Sequence, residues 1–386
     1  MKSYSNDFSN EIKKMKFLII THVAHIKNND QYFGYAPYIR EMNIWLKYAD
    51  RVAIVGPLQK GIPTAIDLGY THKSINFVKV PDFSFTSLKN SITSFFKLPI
   101  IFWRIFWAMK STDHIHLRCP GNMGLMGCFA QMFFPNKTKS AKYAGNWDPK
   151  SNQPLTYKLQ KWILSNAFLT KNMQVLVYGD WKKQSKNIKP FFTATYSNLE
   201  KDNIQKESID SLLQFVFVGS LVSGKNPMYA VNLVDQLVKR GNKAVLNLYG
   251  EGIERASLEN YIKKHHLENH VVLHGNQDKE TIKKAYQKSH FVILPSKSEG
   301  WPKAIAEGMF WGAIPLATKV SCVPFMLDYG NRGVLLEMDI ERDIAQLNLI
   351  IGDQTNFVNK SKLAREWSQH YTTDVFESEI KKLLKQ

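Results

Sequence analysis

Cysteine is scarce in this chain of 386 residues. Cys119, Cys128 and Cys322 form no C-x-x-C pair, and an odd count gives no disulfide framework, which suits a reducing compartment. No apolar run reaches the length that spans a bilayer. The apolar piece FLIITHVAHI near the start is short, contains histidines and lacks a small-residue cleavage site, so it reads as a first buried strand rather than a signal peptide. Helix-turn-helix, zinc-finger, RRM and KH signatures are missing, which argues against a nucleic-acid partner. There is no short-period repeat and no low-complexity tract.

Acidic residues are in short supply in the first half. Residues 1–210 hold 29 Lys/Arg against 14 Asp/Glu, whereas residues 211–386 hold 22 against 19. The basic half suits an anionic membrane surface, or is a plainly solvated face. The segment 94–110, SFFKLPIIFWRIFWAMK, bears on that choice. It carries Phe95, Phe96, Phe102, Trp103, Phe106 and Trp107 with Lys97, Arg104 and Lys110 between them. Being apolar nearly all round, it reads first as a helix buried in the N-terminal half. A helix dipping into the headgroup region is the alternative.

What is present is an alternation of strands and helices. Short buried strands are expected at 16–23, 50–57, 75–81, 113–120, 139–146 and 172–179. A cleaner series follows at 213–220, 243–250, 269–275, 290–295 and 313–318, with amphipathic helices between. The chain turns polar around 193–208. The expected architecture is therefore α/β, with two Rossmann-like doubly wound parallel-sheet domains over 1–200 and 201–370 and a terminal helix over 371–386. Ligands in such folds sit at the carboxyl ends of the strands.

The most informative stretch is Ser296–Gly308, SKSEGWPKAIAEG. A buried strand leads in and an apolar helix leads out, with Pro302 suited to the first helical position. The amides of Lys303, Ala304 and Ile305 are then expected to lack helical partners, a ready anion site. Glu299 falls in the loop. Glu307 falls about one and a half turns into the helix, in an apolar wall where a carboxylate needs hydrogen-bond donors. Sugar hydroxyls are such donors; capping of a neighbouring backbone is the alternative. The loop GSLVSGKNP (219–227) also joins a strand to a helix. Gly219 and Gly224 permit close backbone approach, and Lys225 offers a point charge for phosphate. It nearly matches a Walker A loop, but Asn226 stands where Ser or Thr should hold magnesium.

Glu299 and Glu307 resemble the E-x7-E signature of the retaining glycosyltransferases of the GT-B fold, most closely family 4. The resemblance is strong over roughly 215–335 and rests mainly on strand–helix order before that. It implies that Glu299 contacts the donor sugar near the reacting carbon and that Glu307 binds the nucleotide ribose. Gly300, Trp301, Pro302, Lys303 and Ala304 would complete that side of the donor site. Lys225 matches the lysine that binds the donor diphosphate, but Ser220 occupies the position of the family's usual arginine. Glu251, in YGEG, would reach the donor or order its loop. His274, Gly275 and Asn276 would contact the base largely through backbone, although a lone histidine there also suits plain packing. Gly34, in QYFGYAP, would sit in a loop after the first strand that approaches the donor phosphate. Arg118 and Asp148 are acceptor-side candidates, with turn formation before Pro149 the other reading of Asp148.

The resemblance therefore implies a cytoplasmic glycosyltransferase, peripheral on the inner membrane face. It would move a sugar from a UDP- or GDP-linked donor to a glycan acceptor, lipid-linked by family analogy, in bacterial surface-polysaccharide synthesis. No D-x-D pair is present to hold a divalent metal against a diphosphate; the nearest approach is Glu337-Met338-Asp339. No metal or other cofactor is expected. A soluble enzyme acting on a free sugar or small molecule, and a non-catalytic partner subunit, are the alternatives.

Overall fold

The computed structural model of the chain describes residues 15–385, apart from 65, 82–87, 203–205, 207–208 and 210–211; the side chains of 88–96 are also outside the described set. The side chains of Phe95 and Phe96, and part of the polar stretch 193–208, therefore lie outside the described set. Two compact units are present. Residues up to Lys142 with Leu155–Gln174 form one, and Tyr143–Pro154 with Val175–Lys385 form the other.

The first unit is built on β1 (Lys16–Ile20), β2 (His25–Asn28), β3 (Gln31–Tyr35), β4 (Arg51–Gln59), β5 (Asp67–Gly69), β6 (Ile75–Val80), β7 (His114–Cys119) and β8 (Thr138–Tyr143). Its middle is parallel: β1 lies between β7 and β4, and β4 also pairs with β6. Four consecutive residues of β1, Phe17 to Ile20, are fully buried, as expected of a strand covered on both faces. The region expected to be a loop holding Gly34 is instead an antiparallel hairpin of β2 and β3, with Gly34 opposite His25. A Cβ at Gly34 would lie 3.2 Å from Ile39 Cδ1 and 3.3 Å from the Ala24 carbonyl oxygen, so the glycine admits close packing within the strand.

Three buried histidines, His25, His114 and His116, are expected to make this unit acid-sensitive. His114 Nε2 and His116 Nδ1 lie 2.7 and 2.8 Å from Ser140 Oγ, and the His114 ring stacks on Phe17 at 4.9 Å. His25 Nε2 lies 3.0 Å from the Tyr70 hydroxyl. Burial lowers the His114 pKa to about 3 and that of His25 to about 4, and holds His116 well below its usual value. The unfolded chain takes up these protons near pH 6.5 while the folded chain does not. Stability should therefore fall as pH drops below 6.5, by on the order of 3 kcal/mol for His25 alone near pH 4. Urea melts at pH 7, 5.5 and 4.5 test this, with His25→Phe expected to flatten part of the slope. A wild-type profile that stays flat would contradict it.

The second unit contains β9 (Met173–Tyr178) from Val175 onward and β10 (Ile188–Phe191), which pair in parallel. Its main sheet comprises β11 (Leu213–Val218), β12 (Ala244–Tyr249), β13 (Val271–Gly275), β14 (Phe291–Leu294), β15 (Ile314–Thr318) and β16 (Val334–Leu336). All are parallel, in the order β13-β12-β11-β14-β15-β16. Strand order runs one way from β11 and the other way from β14. The loops after these two strands therefore open at the topological switch point.

The helices follow apolar periodicity. In Pro227–Lys239, Tyr229, Ala230, Leu233, Val234 and Leu237 are buried, and Pro227 sits in the first turn. The helix Lys303–Phe310 lies so close to β14 that a Cβ on Gly308 would come within 2.5 Å of Val292 Cγ1. The closest approach to a D-x-D pair does local structural work. Asp339 caps the helix Ile340–Ile351 by accepting from the amides of Glu341 and Arg342, while Glu337 pairs with Arg342 and Lys319.

The aromatic helix, Leu88–Lys110, differs from the reading of an all-buried element. Ile101, Ile105, Ala108 and Met109 are buried, but Ile100, Trp103, Arg104, Trp107 and Lys110 are exposed. The buried residues recur at helical spacing on one side, and the other side carries the two indoles together with Ile100, Arg104 and Lys110. Among the described residues, no helix is long and apolar enough to cross a membrane.

Candidate active site

The loops after β11 and β14 are joined by an ion pair. Lys225 Nζ lies 2.5 Å from Glu299 Oε1, with the Glu299 side chain almost wholly buried and that of Lys225 about one-third exposed. The loops are also tied by the Lys297 amide, which donates to the Gly224 carbonyl, and by Lys297 Nζ, 3.0 Å from Ser223 Oγ. Lys297, within Ser296–Gly308, carries no motif signal of its own. It brings a second ammonium to the loop in which Ser220, exposed, carries no charge.

Backbone contact shapes the same loop. The Gly219 amide donates to the Tyr249 carbonyl and the Leu221 amide to the Glu251 carbonyl. Gly250 adopts φ +141°, and Cβ atoms on Gly250 and Gly252 would fall 2.0 Å from the Gly219 oxygen and 2.2 Å from the Leu221 oxygen. These two glycines are sterically required, whereas Gly219 and Gly224 have room for a Cβ, the first meeting only the Phe217 ring at 3.7 Å and the second nothing within 4 Å. Asn226 takes the left-handed conformation at φ 53° and leads into Pro227.

Other candidates are already engaged. Glu251 pairs with Arg255 at 2.5 Å and lies against Gly275, which has φ +69°. The His274 ring stacks on Tyr249 at 4.4 Å and its Nε2 lies 2.8 Å from Asn247 Oδ1, which makes it a satisfied packing residue; partial burial lowers its pKa. Gln277 Nε2 donates to the His274 carbonyl, and Asn276 is exposed. Trp301 is buried among Tyr178, Trp367 and Tyr371. Gly300 fits because a Cβ there would meet the Ala144 carbonyl at 2.8 Å.

At the helix, Pro302 is the capping residue and not the first helical one, because its ψ of 89° is non-helical. Its carbonyl accepts from both Ile305 and Ala306, so the Ile305 amide is used within the helix and only Lys303 and Ala304 precede the ladder. The two oxygens of Glu307 accept from protein hydroxyls, Thr195 Oγ1 at 2.6 Å and Tyr286 Oη at 3.2 Å. Burial and this carboxylate raise the Tyr286 pKa well above its usual value. Beside the Ser296–Lys297 turn a cleft of about 470 Å³ opens at the ends of β14, β15 and β16, lined by Thr318, Lys319, Glu337 and Met338 as well.

In the first unit, Arg118 ends β7. Its guanidinium lies 3.8 Å from Glu41 Oε2 and 5.3 Å from the Tyr38 ring centre, and Lys142 Nζ reaches the same Glu41 oxygen at 2.8 Å. Nearby, at the carboxyl ends of β1, β4, β6 and β7, is a cavity of about 360 Å³ bordered by His22, Gln59, Asn122 and Tyr157. Asp148 belongs to the other unit. Its carboxylate accepts from the Lys150 amide at 2.8 Å, which is the turn-forming arrangement.

Residues 200–370 match the family model of glycosyl transferases group 1. An uncharacterised glycosyltransferase of Methanocaldococcus jannaschii is 26% identical over 162 residues, which are 42% of this chain and 43% of that protein. The N-acetyl-alpha-D-glucosaminyl L-malate synthase of Bacillus anthracis is 27% identical over 124 residues, 32% of each chain. The chain thus spans less than half the length of these two curated relatives in the matched regions. Among solved structures, Anabaena HepE in complex with UDP and glucose superposes with a TM-score of 0.67 at 15% identity, over 96% of this chain and 99% of that one. The fold is GT-B, with parallel-sheet Rossmann-like domains.

Proposed function

We propose that the chain is a retaining, family 4 glycosyltransferase that moves a sugar from a UDP- or GDP-linked donor to a glycan acceptor, without a metal ion. The observation that carries this reading is the Lys225–Glu299 pair at the switch point of the second sheet. It sets a cation for a diphosphate beside a carboxylate for sugar hydroxyls. Lys297, on the adjoining turn, supplies the second positive charge that Ser220 does not. Together with the helix end at Lys303 and Ala304, these groups would stabilise the departing nucleoside diphosphate. Glu307, held by Thr195 and Tyr286, would accept from the ribose diol.

No protein nucleophile is invoked. The bond from the anomeric carbon to the diphosphate oxygen breaks, and the acceptor oxygen bonds to the same face. The acceptor proton passes to the phosphate oxygen that leaves. The acceptor is a glycan, lipid-linked at an anionic membrane face, as in bacterial surface-polysaccharide assembly, and the first-unit cavity beside Arg118 suits its hydroxyls. Ser220 favours one second reading, a non-catalytic partner subunit. The test is transfer from labelled UDP- and GDP-sugars to lipid extracts in EDTA, with the product anomer read by NMR. A retained configuration and EDTA-insensitive turnover are expected. Inversion, or loss of turnover in EDTA that added divalent metal restores, would overturn the mechanism.

A further inference from the structure

We propose that one face of the first unit is a docking surface for an anionic lipid bilayer, built from exposed aromatic and aliphatic side chains on four neighbouring segments. On the helix Leu88–Lys110, Trp103 and Trp107 project outward, with Trp103 60% exposed, and their rings meet edge to face at 5.7 Å. Phe106 bridges to the short helix Gln131–Phe133, lying 5.9 Å from the ring of Phe133, which is 65% exposed. That short helix is joined to the next turn by Gln131 Nε2, which donates to the Leu169 carbonyl at 2.8 Å; the turn presents Phe168, 90% exposed. The preceding helix, Leu155–Ser165, adds Leu155, Leu159 and Trp162 on its exposed side.

Scattered exposed apolar residues are ordinary, but large aromatics on adjoining elements are not. Indole and phenyl rings suit the headgroup boundary, where one edge is apolar and the other wet. The charge around them selects the occupant. Residues 94–142 and 155–172 hold ten Lys/Arg and a single acidic residue, Asp113. Arg118, Lys139 and Lys142 of these are internal, and the other seven lie on or near the aromatic elements. Lys110 Nζ sits 4.6 Å from the Trp107 ring centre, an ammonium placed beside a ring that would enter the interface. Such a surface attracts anionic lipid electrostatically and is held by shallow aromatic insertion. This inference does not depend on donor chemistry, and it would stand if the chain transferred nothing.

The test is flotation of the full chain with vesicles of phosphatidylglycerol and phosphatidylcholine against phosphatidylcholine alone. Binding to the anionic vesicles is expected, at least tenfold weaker for Trp103→Ser/Trp107→Ser/Phe133→Ser and weakened by high salt. A circular dichroism melt confirms that this variant is folded. Should it fail to fold, quenching by brominated lipid, compared between the wild type and Trp103→Phe/Trp107→Phe, replaces it, with less quenching expected in the variant. Absence of binding, binding unchanged by the substitutions, or equal binding to neutral vesicles would overturn the proposal. So would a concentration-dependent dimer in sedimentation that the same substitutions abolish, since the surface would then belong to a second copy.

Discussion

Replacing Lys225 by methionine is expected to lower kcat/KM for sugar transfer by about 10²–10³-fold, the usual loss when one group aimed at developing negative charge is removed. The substitution keeps most of the aliphatic stem and deletes only the ammonium. It also leaves Glu299, 9% exposed, without the cation now 2.5 Å away. A buried carboxylate stripped of its partner costs more than the pair contributes, so stability should fall by roughly 3 kcal/mol. The double variant Lys225→Met/Glu299→Gln separates the two effects. It should recover most of the stability, because no buried charge remains, and recover none of the activity. Urea melts and initial rates on the three variants decide it. Full activity in Lys225→Met would remove the lysine from the chemistry.

Gly250→Ala is expected to destabilise the second unit by roughly 3 kcal/mol or more, through positive-φ strain and a backbone clash together. The added Cβ would lie 2.0 Å from the Gly219 oxygen, and the φ of +141° is a conformation that L side chains rarely adopt. Neither atom is the movable end of a side chain. Relief therefore requires the loop after β11 to shift, breaking the Gly219–Tyr249 and Leu221–Glu251 hydrogen bonds and moving Lys225 with it. Nucleotide affinity should drop at least tenfold even in the fraction that stays folded. Gly224→Ala is the control. Nothing lies within 4 Å of its Cβ position, and its stability should change by less than about 0.5 kcal/mol. Equal melts for the two variants would contradict this account of the loop.

The second sheet was readable because each of β11 to β15 is a short apolar run closed by glycine, proline or a polar turn, and the helices between keep their 3.6-residue stripe. Strand pairing without such a run was not readable. The hairpin of β2 and β3 is written HIKN and QYFGY, mostly polar, and its formation depends on tertiary neighbours that also explain Gly34. The Lys225–Glu299 contact joins residues 74 positions apart; the motifs place each just after a strand, and only the structure shows that those strands are adjacent. Spacing said nothing of what already occupies Glu307, since Thr195 lies 112 positions away in a polar stretch without a motif. Lys297 gives no signal in the sequence, since a lysine between two serines looks like any solvated residue; only the fold brings its amide to the Gly224 carbonyl. The sequence leaves the aromatic helix open between a buried and a headgroup-level position because apolar residues occur nearly all round it, and only packing separates the face bearing Ile101 and Ile105 from the one bearing Trp103 and Trp107.

Calorimetry with a panel of UDP- and GDP-linked sugars, run in EDTA on the wild type, Lys225→Met and Glu307→Ala, asks directly whether the second unit is a donor site. One donor should bind the wild type in EDTA, and both variants should lose most of that affinity. A panel in which no nucleotide sugar binds, or in which the variants bind as well as the wild type, would contradict a donor site built on Lys225, Glu299 and Glu307.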